Sequence, residues 1–150
     1  MYHSIVKKKV KTAFQNVNDH RYDEVAREMS LNVRHSFAGE HSLGGERNDR
    51  HALIRWFDRL GRVLPNLHLL VTNIYVKGWP HDTTAIVQWE ADATLLNGDS
   101  YSNKGVHIIK MRWGKIVSLD VYEDSQAVAA ALEKQAASGI GDAMAAKITS

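Results

Sequence analysis

The feature that most constrains this fold is a long stretch of alternating residues between positions 66 and 123. Four runs rich in β-branched and aromatic residues are separated by short turn sequences, which predicts four consecutive β-strands. Asn97-Gly98 and Trp113-Gly114 are typical of tight hairpin turns. The stretch therefore predicts an antiparallel meander with strands over 67–76, 83–96, 100–113 and 116–122.

The segments on either side of the meander have mostly helical patterns. Apolar residues at helical spacing predict helices near both ends of the chain, whereas strict alternation from Leu31 to Phe37 predicts one further strand. The glycines of segment 39–45 match no phosphate-binding spacing, so this segment is predicted as a loop. Asn48 is predicted as the N-cap of the third helix. The predicted helices cover residues 5–17, 22–29, 49–64 and 125–137.

Helices followed by a long meander predict an α+β fold with the helices on one face of a curved sheet. Long strands joined by tight turns must twist and coil, so the sheet is expected to form a cone around a cavity. A chain of 150 residues is of the size that forms one core, and residues 1–150 are predicted as a single domain. Residues 139–150 are predicted either as a flexible tail or as a segment that packs on a partner.

Composition excludes several classes of function. The chain has no cysteine, which excludes disulfides, thiolate nucleophiles and cysteine-bound zinc or iron–sulfur sites. With 19 basic and 17 acidic residues the net charge is only +2, so neither nucleic acid nor a membrane is predicted as a partner. The start of the chain lacks an apolar stretch of signal-peptide length, which predicts a cytoplasmic protein.

Hairpin geometry predicts which side chains share a sheet face. If both turns have two residues and neither hairpin contains a bulge, Gln88 lies opposite His107, and His107 lies opposite Asp120. Residues on one face then follow from the period of two. The polar and bulky side chains predicted on this face, which would line the cavity, are Gln88, Glu90, Asp92, His107, Met111, Asp120 and Tyr122.

The predicted pairing of His107 with Asp120 carries a chemical hypothesis. Directly opposed side chains have Cβ atoms about 5 Å apart, and a carboxylate that holds an imidazole raises its basicity. Asp92, a second carboxylate nearby, would have a raised pKa. Asp120, His107 and Asp92 are therefore the predicted catalytic residues for enolisation, proton shuttling or water activation, without cofactor or metal. A structural cross-strand pair, or a metal site built from the carboxylates and the histidine, are the alternatives.

Two further residues outside the meander are predicted to line the pocket. His35 shares a strand face with Val33 and Phe37, which places an imidazole on an apolar surface. Trp56 lies in the apolar stripe of the third helix, where it would either stack on a ligand or belong to the core. The predicted pocket residues are thus Gln88, Glu90, His35, Trp56, Met111 and Tyr122.

The element order, with a carboxylate near the end of the last strand, resembles the nuclear transport factor 2-like superfamily. Within it the chain is similar to the SnoaL-like polyketide cyclase and ketosteroid isomerase-related branch. The stretches that carry the resemblance are 35–39, 43–45, 52–60, 97–107, 113–117 and 120–124. The resemblance implies a cystatin-like α+β roll and a homodimer that packs sheet against sheet.

The resemblance also implies a function. It implies a cofactor-independent isomerase or cyclase that acts on a small hydrophobic carbonyl or polyketide-like compound, with Asp120 as general acid/base and His107 beside it. Epoxide hydrolases of this superfamily bridge two aspartates with an arginine, but Glu90 occupies the arginine position here. A non-catalytic domain that binds a small molecule or a partner is the main alternative, and an epoxide hydrolase-like or metal-dependent hydrolase is another. Tyr75, Tyr101 and Tyr122 are the phenols available as oxyanion donors.

Overall fold

The computed structural model describes all residues from 1 to 150. The helices are α1 (Tyr2–Asn18), α2 (Tyr22–Arg27), α3 (Arg50–Val63) and α4 (Ser125–Ala137), followed by a short 3₁₀ helix at Gly141–Met144. The strands are β1 (Met29–Phe37), β2 (Gly45–Arg47), β3 (His68–Trp79), β4 (Asp82–Thr94), β5 (Ser100–Arg112) and β6 (Lys115–Glu123). None of the helices combines the length and apolar character that crossing a membrane requires.

The six strands form one curved, unclosed sheet in the order β2-β1-β6-β5-β4-β3. Strands β3 to β6 are the predicted antiparallel meander, and the predicted α+β fold is confirmed. The pairing is not antiparallel throughout, because β1 runs parallel to β6. This pair is parallel because the chain leaves β1, crosses through α3 and returns only after the other strands of the meander. Strand β2, which pairs with β1, was not predicted.

The sheet has one face toward the helices and one face away from them. Along β4 the side chains alternate strictly, so that Val87 and Trp89 are buried whereas Gln88 and Glu90 are exposed. We call the helix-covered side the inner face and the opposite side the outer face. The single apolar core lies between the inner face and the helices.

The turn between β4 and β5 is one residue longer than predicted. The Leu95 amide donates to the Asp99 carbonyl (2.8 Å), which leaves three residues in the loop. Gly98 ends the loop with a φ of +90°, the left-handed conformation that such three-residue loops require. The extra residue shifts the pairing, so His107 lies opposite Val87 and not opposite Gln88.

The hairpin between β5 and β6 has the predicted turn but contains a bulge. Val117 has no partner in the register, and the pairing beyond it is displaced by one residue. His107 therefore lies opposite Val121, and Asp120 lies opposite Ile108. Because successive side chains alternate between the faces, the predicted pairing of His107 with Asp120 is wrong: the two side chains project from opposite faces.

The N-cap of α3 is Asp49, whose Oδ1 accepts a hydrogen bond from the Ala52 amide (2.8 Å), so the prediction of Asn48 is wrong by one residue. Asn48 instead binds the end of the chain. Its backbone N–H donates to the Ser150 hydroxyl (2.7 Å), and its side-chain Nδ2 donates to the Ser150 carbonyl (2.9 Å). The segment after the 3₁₀ helix thus lies against its own domain.

Gly105 on β5 makes room for the indole of Trp89. A Cβ at this position would lie 2.7 Å from the Tyr122 carbonyl oxygen and closer still to the Trp89 ring. The tryptophan therefore packs directly on the glycine backbone, and this contact sets the position of its ring nitrogen.

We predict that Gly105→Ala destabilises the protein by about 1–3 kcal/mol, because the added methyl group overpacks the Trp89 contact. Urea unfolding followed by circular dichroism measures this. Gly141→Ala is the matched control, since a Cβ there meets nothing within 4 Å and its stability should change by less than about 0.5 kcal/mol. Equal stability of the two variants would contradict the prediction.

Candidate active site

A cavity of about 90 Å³ lies between the inner face and the helices and is partly open to solvent. Of its 24 lining residues, 21 are hydrophobic. The other three are His35, His107 and Glu123. In a lining this apolar, each polar group is largely removed from water, so its hydrogen bonds and its protonation state are strongly determined by the protein.

Glu123 is the carboxyl group of the cavity. It is the last residue of β6 and follows Leu119 and Val121 on the inner face. Both carboxyl oxygens are buried and neither has a hydrogen-bond partner in the protein. Burial, followed by the negative charge of Asp124, raises the pKa of Glu123 to about 8. The group is therefore mainly protonated at neutral pH, with an accessible ionised form.

Tyr101 supplies a phenol to the same cavity. Its hydroxyl oxygen accepts a hydrogen bond from Asn103 Nδ2 (2.9 Å), which leaves the O–H proton free to donate. Asn103 is held in turn by the backbone of Asp124, which it contacts through both ends of its amide (3.1 Å each). Burial raises the pKa of Tyr101, and the carboxyls of Glu123 and Asp124 raise it further against the effect of Asn103. The phenol is thus a neutral donor.

His107 faces the cavity from the middle of β5. Its Nδ1 accepts a hydrogen bond from the Trp89 indole nitrogen (2.6 Å). Because an indole N–H can only donate, the proton of the neutral imidazole must reside on Nε2. Burial lowers the pKa of His107 to about 3, so the ring stays neutral at physiological pH. The residue lines the cavity, and the centroid of the Phe14 ring lies 4.9 Å from that of the imidazole.

His35 has the same protonation pattern for a different reason. Its Nδ1 accepts a hydrogen bond from Arg47 Nη1 (2.5 Å), and a guanidinium can only donate. The proton therefore resides on Nε2. Burial, together with the charge of Arg47 and the nearby His107, holds the pKa of His35 well below its usual range. Trp56 packs edge-on against the ring at 4.6 Å.

The strand register orders these groups along one wall of the cavity. Glu123 pairs with Gly105, and His107 pairs with Val121, two residues earlier on β6. His35 pairs with Leu119 on the other side of β6, two residues earlier again. Two residues of a strand span roughly 6.6 Å, so a ligand of one ring would contact neighbouring members of this row.

The structure brings only some of the predicted site residues to the cavity. His35, Trp56 and His107 line the cavity. Met111 is buried but lines a separate groove beside α1. The predicted positions of the other residues in the cavity are wrong, because the longer turn and the bulge move their side chains to the outer face: these are Gln88, Glu90, Asp92, Asp120 and Tyr122.

Asp120 belongs to a polar cluster on the outer face. Its Oδ2 accepts a hydrogen bond from Arg34 (2.7 Å) and its Oδ1 accepts one from the Ser36 hydroxyl (2.5 Å). Burial raises the pKa of Asp120, but the bonds from Arg34 and Ser36 outweigh this effect and leave the pKa below its usual value. The carboxylate is ionised and paired. Asp92 is exposed on β4 opposite Ser102, so the two aspartates do not form the bridged pair of an epoxide hydrolase.

The metal-binding alternative also finds no support in the geometry. No group of three or more histidine, aspartate or glutamate side chains converges in the structure. The residues that this alternative would combine do not share a face of the sheet. His107 lies on the inner face, whereas Glu90, Asp92 and Asp120 lie on the outer face.

The sequence patterns left Glu123 out of the candidate residues, and Tyr101 appeared only as one of three phenols. The sequence does carry a signal for Glu123. Leu119 and Val121 precede it at a spacing of two, which places all three side chains on one face once the strand is known to face inward. The expectation that the β5–β6 hairpin contains no bulge concealed this assignment.

The comparisons with known proteins agree with this architecture. A family model described as a SnoaL-like domain matches residues 10–119, which is well over half of the chain. The chain belongs to this family. None of the curated proteins matches this SnoaL-like domain in sequence. The family match ends at Leu119, so Glu123 lies beyond the matched residues.

Solved structures share the fold of this SnoaL-like domain at low sequence identity. TerC, co-crystallised with polyporic acid, has a TM-score of 0.72 and 17% identity over 84% of this chain and 96% of TerC. A candidate SnoaL-like polyketide cyclase from Jannaschia sp. CCS1 has a TM-score of 0.67 and 20% identity, covering 83% and 88% of the two chains. An NTF2-like protein of unknown function from Exiguobacterium sp. 255-15 has a TM-score of 0.64 and 15% identity, covering 77% and 97%. The fold is therefore NTF2-like.

We predict that Glu123→Gln stabilises this SnoaL-like domain at alkaline pH. The native carboxyl keeps its proton up to a pKa of about 8, whereas the unfolded chain loses it near 4.5, so stability falls as pH rises through this interval. Glutamine cannot ionise and escapes this loss. After allowance for partial solvent screening, the free energy of unfolding should exceed that of the wild type by on the order of 1–2 kcal/mol at about pH 8.

Urea unfolding at about pH 4 and about pH 8 tests this, and the difference should vanish at the lower pH. Glu133→Gln on the exposed face of α4 is the matched control and should show no such dependence. A Glu123→Gln protein that is less stable than the wild type at both pH values would contradict the assignment of a raised pKa.

Proposed function

We propose that this SnoaL-like domain is a cofactor-independent acid/base enzyme, an isomerase or cyclase for a small hydrophobic carbonyl or polyketide-like compound. The observation that carries the proposal is Glu123, whose two carboxyl oxygens are buried in an apolar cavity without a partner. A carboxyl with a pKa of about 8 is matched to proton transfer near neutral pH. A structural carboxylate, in contrast, is normally paired, as Asp120 is.

In the proposed reaction, ionised Glu123 removes a proton from a carbon next to a carbonyl group of the substrate. The electron pair of the broken C–H bond forms an enolate, whose negative charge resides on the carbonyl oxygen. Glu123, now protonated, returns the proton to a different carbon in an isomerisation. In a cyclisation the enolate carbon instead attacks a second carbonyl of the same molecule, and the proton goes to the new alkoxide.

The cavity supplies hydrogen-bond donors for the developing oxyanion. His107, whose proton is on Nε2, lies opposite Val121, two residues before Glu123 on β6, and the Tyr101 hydroxyl has a free proton. Both groups are neutral and held in place by Trp89 and Asn103, so they need no reorganisation when charge develops. In apolar surroundings such donors stabilise an oxyanion more strongly than water-exposed donors do.

Glu123 takes the role in this proposal that the sequence assigned to Asp120. The pairing of Asp120 with Arg34 and Ser36 on the outer face supports a structural role for that residue instead. His107 keeps its place in the site, but as a neutral donor and not as a base. Asp92 has no part in the proposed chemistry, since its side chain is exposed on the outer face.

A non-catalytic small-molecule-binding domain is the second candidate function. The apolar lining favours it, since 21 of the 24 lining residues are hydrophobic and can hold a ligand without any chemistry. The volume of about 90 Å³ is less than the roughly 150 Å³ of an engineered cavity that accommodates benzene, so even a ligand of one ring needs lining side chains to move apart. TerC, with its bound polyporic acid, supports binding of a small molecule within this fold, whichever of the two functions applies.

We predict that Glu123→Gln lowers catalysis of hydrogen–deuterium exchange at the carbons next to the carbonyl of small cyclic ketones by at least about 100-fold. Exchange in heavy water, followed by proton NMR over a panel of such ketones, measures this step without knowledge of the natural substrate. Tyr101→Phe, which removes one donor, should lower the rate by a smaller factor.

Asp120→Asn is the matched control and should retain exchange activity within about twofold, because its side chain does not reach the cavity. Loss of activity in Asp120→Asn with full activity in Glu123→Gln would reverse the assignment. Ketone binding without exchange in the wild type would favour the binding domain.

We also propose the homodimer that the family resemblance implies, with the outer face as its interface. The support is apolar surface: Ile86 is 38% and Tyr122 is 50% exposed on this face. Clusters of exposed apolar and aromatic side chains are typical of interaction surfaces. A cytoplasmic location stays a prediction.

We predict that the double variant Ile86→Asp/Tyr122→Asp shifts the protein from dimer to monomer, because charges in the centre of an interface lose their hydration without gaining partners. Light scattering during size-exclusion chromatography measures the mass. Leu96→Asp, at an exposed apolar position in the β4–β5 loop, is the control and should leave the mass unchanged. A wild-type protein of monomer mass would overturn the proposed dimer.

A further inference from the structure

Arg47 is a buried cation without a carboxylate partner. Its residue is 0% exposed, and its side chain donates to the Ile148 carbonyl (2.9 Å), the Gly44 carbonyl (2.8 Å) and His35 Nδ1 (2.5 Å). All three acceptors are neutral. Burial lowers the pKa of Arg47 to about 10, so the guanidinium remains charged at neutral pH. A buried charge normally has a counter-ion, and here the protein supplies none.

The surroundings of Arg47 add positive charge, and Glu46, the one carboxylate that favours the charged guanidinium, has the smallest effect on its pKa. The nearby Arg59 guanidinium, which also lowers the pKa of Arg47, donates only to carbonyl oxygens, those of Ser42 (2.9 Å) and Ala146 (2.7 Å). Glu46, the acidic neighbour of Arg47, is exposed and paired with Arg34 at 3.1 Å. This end of the cavity therefore has a positive potential that the protein does not neutralise.

His35 connects this charge to the cavity. Arg47 lies behind the imidazole, and its hydrogen bond to Nδ1 polarises the ring so that Nε2–H becomes a stronger donor. Nε2 has no partner in the protein, while the residue lines the cavity. A neutral imidazole with a positive charge behind it can donate an N–H hydrogen bond to an oxygen that carries negative charge, and the positive charge stabilises that oxygen further.

We infer that the Nε2–H of His35, with Arg47 behind it, is a subsite for an anionic oxygen, and that the cavity prefers a phenol or enol in its deprotonated form. The inference rests on the proposed function only in placing the ligand in the same cavity. It goes further in naming the charge of the ligand and the residue that receives it. On binding, the phenol proton passes to solvent, and the oxygen retains the electron pair and accepts the hydrogen bond.

The other groups around the ligand do not oppose this preference. His107 is the second titratable group near His35, and it is a neutral donor. Glu123 lies about four residues away along β6 and is mainly protonated below its pKa of about 8, so it adds little negative charge there. Arg47 acts through His35 and is a positioning residue, since it does not itself line the cavity.

4-Nitrophenol is the probe, because its phenolate and its neutral form have different absorption spectra. We expect the wild-type protein to bind the phenolate at least about tenfold more tightly than the neutral form, which lowers the pKa of the bound phenol by about one unit or more. Absorption titrations on both sides of the pKa of the free phenol measure this ratio. Nitrobenzene, which lacks the hydroxyl group, should bind without any pH dependence in this interval.

Arg47→Met should abolish the preference for the phenolate, while Arg47→Lys, which keeps the charge, should restore part of it. Arg55→Met on the exposed face of α3 is the matched control and should keep the wild-type ratio. Because Arg47 variants could unfold, His35→Phe provides a second test that leaves the arginine in place, and it should lower the ratio by at least about tenfold.

Preferential binding of the neutral phenol by the wild type would overturn the inference, as would the absence of any phenol binding. An unchanged phenolate preference in both His35→Phe and Arg47→Met would overturn it as well. The result is independent of turnover. A protein that prefers the phenolate but exchanges no ketone protons retains this subsite and loses the proposed catalysis, and the opposite combination loses only the subsite.

Discussion

The candidate site depends on the register of two hairpins. Side chains alternate between the faces of a strand, so one additional residue in a hairpin moves every later side chain to the opposite face. The three-residue loop that ends at Gly98 and the bulge at Val117 each add one residue. Together they direct His107 and Glu123 into the cavity and Asp120 away from it. The chemistry available to the protein is therefore determined by two local irregularities of the backbone.

The fold could be predicted because its main determinants are local. Alternation defines the meander, helical spacing defines the helices, and Ser125–Ala137 has the bounds that its pattern predicts. The site could not be predicted in the same way, because the bulge at Val117 is not a property of the turn sequence. The pairing of β1 with β6 shifts in the same region, between Met29 and Arg34, so the irregularity involves three strands. The hairpin rules describe only two strands at a time. The position of His35 could be predicted because it follows from the alternation along β1 alone and needs no hairpin register.

Once the register is set, the partners of the polar groups determine their protonation. Trp89 and Arg47 can only donate hydrogen bonds, and each donates to the Nδ1 of a histidine. Both imidazoles must therefore be neutral with the proton on Nε2, and both residues line the cavity. Glu123 has no such partner, and burial keeps it mainly protonated. The cavity thus contains several neutral donors and a single group that exchanges a proton near neutral pH.

This arrangement gives the proposed reaction an electrostatic direction. An ionised Glu123 lies in apolar surroundings without a hydrogen bond, which is the state that burial destabilises and that raises its pKa. When the carboxylate takes a proton from the substrate, the negative charge moves to the carbonyl oxygen of the substrate, for which the Nε2–H of His107 and the hydroxyl of Tyr101 are the proposed donors. The positive charge of Arg47 lies farther along the same wall, behind His35, and adds a potential that favours the enolate. Proton transfer therefore replaces a buried carboxylate that has no hydrogen bond with an oxyanion that has donors, which lowers the barrier to forming the enolate.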